Sequence, residues 1–244
     1  MLVSALGTDL LHLGVDGERS HFVDPATGDD SWTVPLDGSA AFARRDGETV
    51  YLANREGGLY AHDAADGSRR WAFTAAGGFP ALGDGTLYLA SRQGRDANFY
   101  AVDADDGSER WSFESPLDPS YGLLGDGAVY LRGRETGEGA VYALDAATGA
   151  ERWRFEPGDE VVSHAVADGT IYAGSKDTHA YALDAATGAE RWRLDTDGAV
   201  WNVRVVDGRV YVGSNGGTVY AFDAAALARA TVRPTATATA AAGR

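Results

Sequence analysis

Five histidines, at positions 12, 21, 62, 164 and 179, are the side chains here best suited to move a proton or ligate a metal near neutral pH. They are scattered: no two fall at a recognisable ligand spacing, and no nucleophile–base pairing is legible beside them. His12 stands where other segments place a tyrosine, and His62 sits at an apolar strand position, so both read as core substitutions. The chain has no cysteine, which leaves its redox compartment open. Its 25 aspartates recur mainly at fixed turn positions, where a hydrogen bond from side chain to backbone accounts for them without a metal. No catalytic residue and no metal ligand is therefore assigned.

The elements that would have to position any site are repeated. The segment Val141-Tyr-Ala-Leu-Asp-Ala-Ala-Thr-Gly-Ala-Glu-Arg-Trp153 recurs nearly unchanged from Ala180 to Trp192, then at Tyr100–Trp111, Tyr60–Trp71 and more loosely Phe22–Trp32. A sixth copy begins at Tyr220-Ala-Phe-Asp223 and then decays. The repeated aspartates stand at 24, 63, 103, 145, 184 and 223, a step of 39 to 42 residues. A period near 40 with short strands inside is the signature of a propeller blade. Upstream in each unit lies a second phrase, Asp46-Gly, Asp84-Gly, Asp126-Gly, Asp168-Gly and Asp207-Gly, each followed by an alternating run that ends in tyrosine. An Asp-Gly pair before such a run predicts a hairpin, because glycine takes positive φ without steric cost. Four strands per unit follow: A before the Asp-Gly turn, B with Val-Tyr, C with Tyr-Ala-Leu-Asp, D with Trp-x-Phe. The expected fold is all-β, a β-propeller of six four-stranded blades over residues 1–233, or part of a seven- or eight-bladed ring if the start is incomplete.

Each strand D holds one tryptophan (Trp32, Trp71, Trp111, Trp153 and Trp192), and Phe73, Phe113, Phe155 and Leu194 follow two residues after the last four. Residues two apart share a face, and both faces of a blade pack on neighbours. These rings are therefore expected to be inter-blade packing rather than a platform for a cofactor.

Together the Val-Tyr, Tyr-Ala-Leu-Asp-Ala-Ala-Thr-Gly and Trp elements closely resemble the repeat of pyrroloquinoline-quinone-type β-propellers, over residues 1 to about 223. That family includes the quinoprotein alcohol dehydrogenases and non-enzymatic relatives such as the propeller subunit of the bacterial outer-membrane barrel-assembly machinery. For the dehydrogenases the resemblance implies a vicinal cysteine pair over the quinone and a calcium set of Glu, Asn and Asp. This chain has no cysteine and no acidic triad that maps onto that set, so no cofactor is expected. The repeat residues are packing and turn residues, so the resemblance speaks for fold far more than for function, and without a quinone site the chain is expected in the non-enzymatic branch.

Formal net charge is −15, from 36 acidic residues against 20 arginines and the single lysine Lys176. Such a balance disfavours nucleic acid and anionic membrane surfaces as partners. High Asp and Ala with almost no Lys resembles proteins of salt-loving organisms. Residues 1–20 show no signal peptide, and no run reaches the length of a membrane span, so cytoplasmic residence is the default expectation unless the N-terminus is truncated. The Thr-Ala-rich end, 234–244, is expected to be disordered.

Function is sought where the units disagree. Antiparallel order sends A–B and C–D turns to one end of every blade and B–C turns and D–A connections to the other. The first end repeats aspartates. At the second, Arg55, Arg92, Arg134 and Lys176 stand at nearly one register of successive B–C turns, a local reversal of sign. Beside them, the ends of successive A strands carry the outliers Tyr121, His164, Trp201 and Asn202, of which Trp201 is the one tryptophan outside the repeat. An aromatic, an imidazole and an amide at a funnel mouth make a binding pocket. The reading is a non-catalytic scaffold that binds a protein, peptide or small ligand on this face. The alternative is an enzyme with its site in the funnel, such as a hydrolase, a lyase or a degenerate quinoprotein.

The acidic surface sets one prediction. The Debye length grows from about 3 Å at 1 M to about 10 Å at 0.1 M salt. Mutual repulsion among the aspartates should therefore lower the melting temperature markedly when KCl falls from molar to 0.1 M, as read by scanning calorimetry. A flat profile would remove the brine reading.

Overall fold

Four of the Asp-Gly pairs turn their hairpins with both central residues at positive φ: Asp84/Gly85 (48°, 65°), Asp126/Gly127 (49°, 67°), Asp168/Gly169 (47°, 66°) and Asp207/Gly208 (48°, 71°). This is the type I′ geometry whose twist matches the strands on either side. The fifth hairpin differs. Asp46 pairs with Thr49, so Gly47 (φ 54) is the first of two central residues, the II′ arrangement.

The computed structural model describes residues 2–14, 19–36, 38–74, 80–91 and 98–224. Its strands form antiparallel meanders of consecutive elements. Sheet 1 is β1 (Leu2–Ala5), β2 (Leu11–Gly14), β3 (Arg19–Val23) and β4 (Asp30–Pro35). Sheet 2 is β5 (Ala40–Asp46), β6 (Thr49–Asn54), β7 (Gly58–Asp63) and β8 (Arg69–Thr74), and sheet 3 is β9 (Ala81–Gly83), β10 (Thr86–Ala90), β11 (Asn98–Asp103) and β12 (Glu109–Glu114). These three lie in one compact unit, Met1–Ser115. A second unit, Pro116–Arg244, holds the other three. Sheet 4 is β13 (Asp118–Gly125), β14 (Ala128–Glu135), β15 (Glu138–Asp145) and β16 (Glu151–Phe155). Sheet 5 is β17 (Val161–Ala167), β18 (Thr170–Ser175), β19 (His179–Asp184) and β20 (Glu190–Asp195), and sheet 6 is β21 (Val200–Val206), β22 (Arg209–Ser214) and β23 (Val219–Asp223). The expected strand D of the sixth blade, at Thr231–Pro234, and the 234–244 tail lie outside the described residues.

Within each unit the sheets are joined by tryptophan. Trp32 Nε1 donates to the Ala64 carbonyl (3.1 Å), Trp71 to Ala104 (3.1 Å) and Trp153 to Ala185 (3.0 Å). In each case the acceptor is the alanine that follows the repeat aspartate of the next sheet. The hydroxyls of Tyr51 and Tyr130 donate to the Ala104 and Ala185 carbonyls as well, at 3.2 Å. The repeat glycine of the same turn lies under the indole. A Cβ added to Gly67, Gly107 or Gly188 would stand 2.5, 2.7 or 2.6 Å from Trp32, Trp71 or Trp153. So the Asp-Ala-x-x-Gly phrase is shaped by the tryptophan of the preceding unit. Trp192 is buried too, but its Nε1 has no partner among the described residues.

The C–D hairpin carries a feature that strand alternation does not foretell. Its D strand holds one extra residue, unpaired in the ladder, at Ser31, Arg70, Arg110, Arg152 and Arg191. Such a bulge re-aims its side chain. The four arginines turn back onto Asp63 (2.6 Å), Asp103 (2.6 Å), Asp145 (2.8 Å) and Asp184 (2.7 Å). Other nitrogens of Arg70, Arg110 and Arg191 reach strand B at Thr49, Thr86 and Thr170, and Nη2 of Arg152 also donates to the Gly127 carbonyl of the A–B turn at 2.7 Å. The second carboxylate oxygen of each aspartate accepts the backbone N–H two residues on, in Asx-turns such as Ala65 to Asp63 (2.9 Å) and Asp105 to Asp103 (2.8 Å). Arg152, then the Thr148 hydroxyl and N–H, pull Asp145 down to about 2.

Truncating Trp71 to alanine should cost about 3–5 kcal/mol, the range for a large buried aromatic. Gly107→Ala should destabilise as well, because a Cβ there meets Trp71 and φ is +76. Urea unfolding of both variants checks this. A loss below about 1 kcal/mol in each would show that the indole-on-glycine contact does not hold the sheets.

Candidate functional site

Strand A is bulged in four sheets, and the extra residue is Ala41 in β5, Tyr121 in β13, Val162 in β17 and Trp201 in β21. Two of the aromatic outliers thus stand at bulges, where a side chain leaves the alternation of its strand. Trp201 is 52% exposed, while its neighbours Val200 and Val203 are buried. For Tyr121 only the backbone position is described.

The cations are less uniform than their spacing suggests. Arg55 and Lys176 share a register, since their backbone N–H groups donate to the carbonyls of Ser39 and Glu160, both at 2.9 Å, just ahead of strand A. Arg134 does not. The β14–β15 hairpin is longer than its counterparts, so Arg134 is a strand residue paired with Gly139 and Asp118. Arg92 lies outside the described residues. Arg55 is exposed in the first unit. Among the acids near these cations, Glu56 accepts from Ser39 N–H (3.0 Å), and Asp177 from Gly158 N–H (3.0 Å) and the Tyr181 hydroxyl (2.6 Å).

In the second unit, two of the singled-out residues come together. Lys176 Nζ lies over the Trp201 ring, 5.6 Å from its centroid, and pairs with Glu160 Oε2 at 2.8 Å. The Lys176 ammonium, assisted by the Gly137 N–H and the charge of Arg134, holds Glu160 below the usual carboxylate range against its own burial. Gly137 is also a wall of an adjoining cleft of about 450 Å³, whose other walls include Pro116, Leu117, Glu138, Tyr142 and Pro157. The surface therefore combines a raised indole, a pinned ammonium and a proline-lined hollow. Asn202, next in the chain, is exposed.

His164 is engaged elsewhere. Its Nε2 meets the Tyr130 carbonyl of the preceding sheet at 3.2 Å. Beside it, Ser163 Oγ accepts the Val203 N–H (3.1 Å), so the two side chains stitch three successive sheets. Residues missed by the sequence reading are Glu160, Pro116 and Pro157. Glu160 looked like an ordinary loop acid, and only its position one residue ahead of β17, opposite Lys176, distinguishes it. The chain lacks cysteine, and among the described residues no group of three or more His, Asp or Glu is placed to hold a metal ion.

Comparison with known proteins follows the same lines. Residues 18–136 and 137–233 match the family described as outer membrane protein assembly factor BamB. No curated protein matches the chain. BamB from Moraxella catarrhalis is 18% identical, with 88% of this chain and 81% of that one covered at a TM-score of 0.48. The computationally designed Ika8 protein is 15% identical and covers 91% and 71%, with a TM-score of 0.72. A europium-containing methanol dehydrogenase is 12% identical, with 79% of this chain and 50% of that one covered and a TM-score of 0.65. At such identities the Ika8 and dehydrogenase structures speak for the fold, a β-propeller of quinoprotein-like repeats, and not for activity.

Two histidines set a pH prediction. Burial pulls His12 and His164 down to about 4 from the ordinary 6.5. Between pH 6.5 and 4 the unfolded chain binds protons that the folded chain refuses, so unfolding free energy falls as pH drops through that window and levels below it. The fully buried His12 accounts for up to about 3 kcal/mol. His12→Phe should remove that share, read as the difference in urea midpoint between pH 7 and pH 4.5. An unchanged difference would mean that the ring is not buried neutral.

Proposed function

The chain belongs to the family described as outer membrane protein assembly factor BamB, and from that premise we propose that it is a non-catalytic propeller scaffold that binds a segment of a partner protein or peptide on the B–C and D–A loop surface of its second unit. The observation that carries this reading is Trp201. A tryptophan that is 52% exposed on a chain this polar costs solubility unless something covers it, and interface hot spots are enriched in tryptophan. Its ring is presented by a bulge, and Lys176, itself fixed by Glu160, sits over it. An indole held in this way loses little freedom when a partner arrives, which favours binding. The cleft that adjoins Glu160 through Gly137 has room for one or two side chains, and its proline and glycine walls leave little entropy to lose. The family's description as an assembly factor supports a role in holding other chains.

Panning random phage-displayed peptides against the wild-type protein tests the proposal. Selected peptides should bind Trp201→Ala at least about tenfold more weakly, the scale of a hot-spot truncation, with the melting temperature unchanged. Lys176→Glu should weaken them as well, by removing the cation and leaving Glu160 unpaired. Peptides that bind all three proteins alike would place the site elsewhere.

A further inference from the structure

Between successive sheets of each unit one contact recurs. A row of Tyr, Ala and Trp on strands B, C and D of one sheet meets the apolar strand-B positions of the next. In the first unit Tyr51, Ala61 and Trp71 of sheet 2 pack with Leu87 and Leu89 of sheet 3. In the second, Tyr172, Ala182 and Trp192 of sheet 5 pack with Val210 and Val212 of sheet 6. Both halves of the contact are closed to water: Tyr51, Tyr88, Tyr130 and Tyr172 are 1–4% exposed, and Val50, Leu87, Val129, Ile171 and Val210 are 0% exposed.

Sheet 6 carries the first half of this contact uncovered. Its Tyr211, paired with Arg204 and Ala221, is 37% exposed, and Ala221, Val206 and Val219 on the same face are exposed too. The opposite face, with Val203, Val210, Val212 and Tyr220, is the one buried against sheet 5. Sheet 1 carries the second half, also uncovered. Leu11 and Leu13 hold the strand-B positions but are only partly buried, and Val3, paired with Leu13, is 51% exposed. They lie on the face opposite Phe22 and Trp32, which pack on sheet 2. The repeat glycine of sheet 1 agrees: a Cβ on Gly28 would meet nothing within 4 Å, where Gly67, Gly107 and Gly188 each lie under an indole.

Charge also sets the two faces apart. Arg204 and Arg209 flank Tyr211 on the sheet 6 face, exposed, and their guanidiniums make no ion pair or hydrogen bond among the described residues. The sheet 1 turn that corresponds to the cover of a tyrosine row is Asp24-Pro-Ala-Thr-Gly-Asp-Asp30, with three acids, of which Asp30 pairs with His21 at 3.0 Å. Pro25 stands where Ala104 and Ala185 accept a tyrosine hydroxyl, and it keeps the carbonyl that this bond needs.

We propose that these faces meet between copies of this chain, the Tyr211 face of sheet 6 docking on the Leu11–Leu13 face of sheet 1 of a second molecule. Tyr211 then lies under the second molecule's Asp24–Gly28 turn, with Arg204 and Arg209 beside its acids. A second copy is the occupant because the chain itself supplies both halves of a contact that it already uses between its own sheets. The interface is heterologous, so each molecule keeps a free half and association continues past two. It does not rest on the loop surface around Trp201.

Sedimentation velocity of the full chain, at one fixed salt concentration and over a wide range of protein concentration, tests this. The average mass should climb with concentration. Tyr211→Asp and Val3→Asp should each weaken self-association at least about tenfold, with circular dichroism and melting temperature unchanged, and Val219→Asp should repeat the Tyr211→Asp result. The deciding sample is an equal mixture of Tyr211→Asp with Val3→Asp. The first retains a sound sheet 1 face and the second a sound sheet 6 face, so the pair should form a dimer and stop there. A wild type that stays monomeric throughout overturns the proposal, as does a mixture no more associated than either variant alone. A monomer whose melting temperature falls in both variants also overturns it, and would mean that the two faces meet within one chain.

Discussion

The contact on which the structure rests is an indole laid against a glycine. Each described Trp–Gly pair joins one sheet to the next, and it makes three residue choices depend on one another. The tryptophan needs a flat, side-chain-free surface, which the positive-φ glycine supplies. Its N–H needs an acceptor in an otherwise apolar layer, and the alanine carbonyl ahead of that glycine is turned towards it. An unpaired indole N–H in the same place would cost on the order of 1–3 kcal/mol, so the hydrogen bond and the packing act together. Sheet 2 both gives a tryptophan and receives one, so a fault in it is felt at two interfaces, the expected behaviour of a repeat array.

The Asp–Arg pairs do a different job. Each is largely solvent-exposed, and such pairs contribute about 0–1 kcal/mol apiece. Their value lies in geometry: the bulged arginine connects strands B, C and D at the turn end, and so holds the alanine carbonyl and the glycine where the preceding indole requires them. This also explains why an acidic protein retains arginine rather than lysine at these sites. A planar guanidinium can reach a carboxylate and a second acceptor at once, which an ammonium on a flexible stem does less well.

Departures from the repeat use two devices. One is the strand-A bulge, which lifts Trp201 out of a buried register in the second unit. The other is substitution within the ladder, which puts Arg45 where the other sheets have leucine or valine and pairs it with Asp9 of the β1–β2 turn. In both cases the regular sheets supply rigidity, and the irregular residue supplies chemistry.

The sequence by itself determined the all-β class, the unit length, the hairpins at the Asp-Gly pairs and the Asx-turns of the repeat aspartates. These are local consequences of turn chemistry and of alternation, repeated often enough to be read without ambiguity. Only the tertiary structure decided which residues meet. A bulge shifts one residue against its ladder without a change in composition, so neither the re-aimed arginines nor the exposure of Trp201 could be read from spacing. Glu160 and Lys176 lie sixteen positions apart and become partners because β17 and β18 pair, while Arg134 leaves their register because its hairpin is longer. Pairings of that kind depend on strand register and hairpin length summed over the chain, quantities that no single stretch of sequence contains.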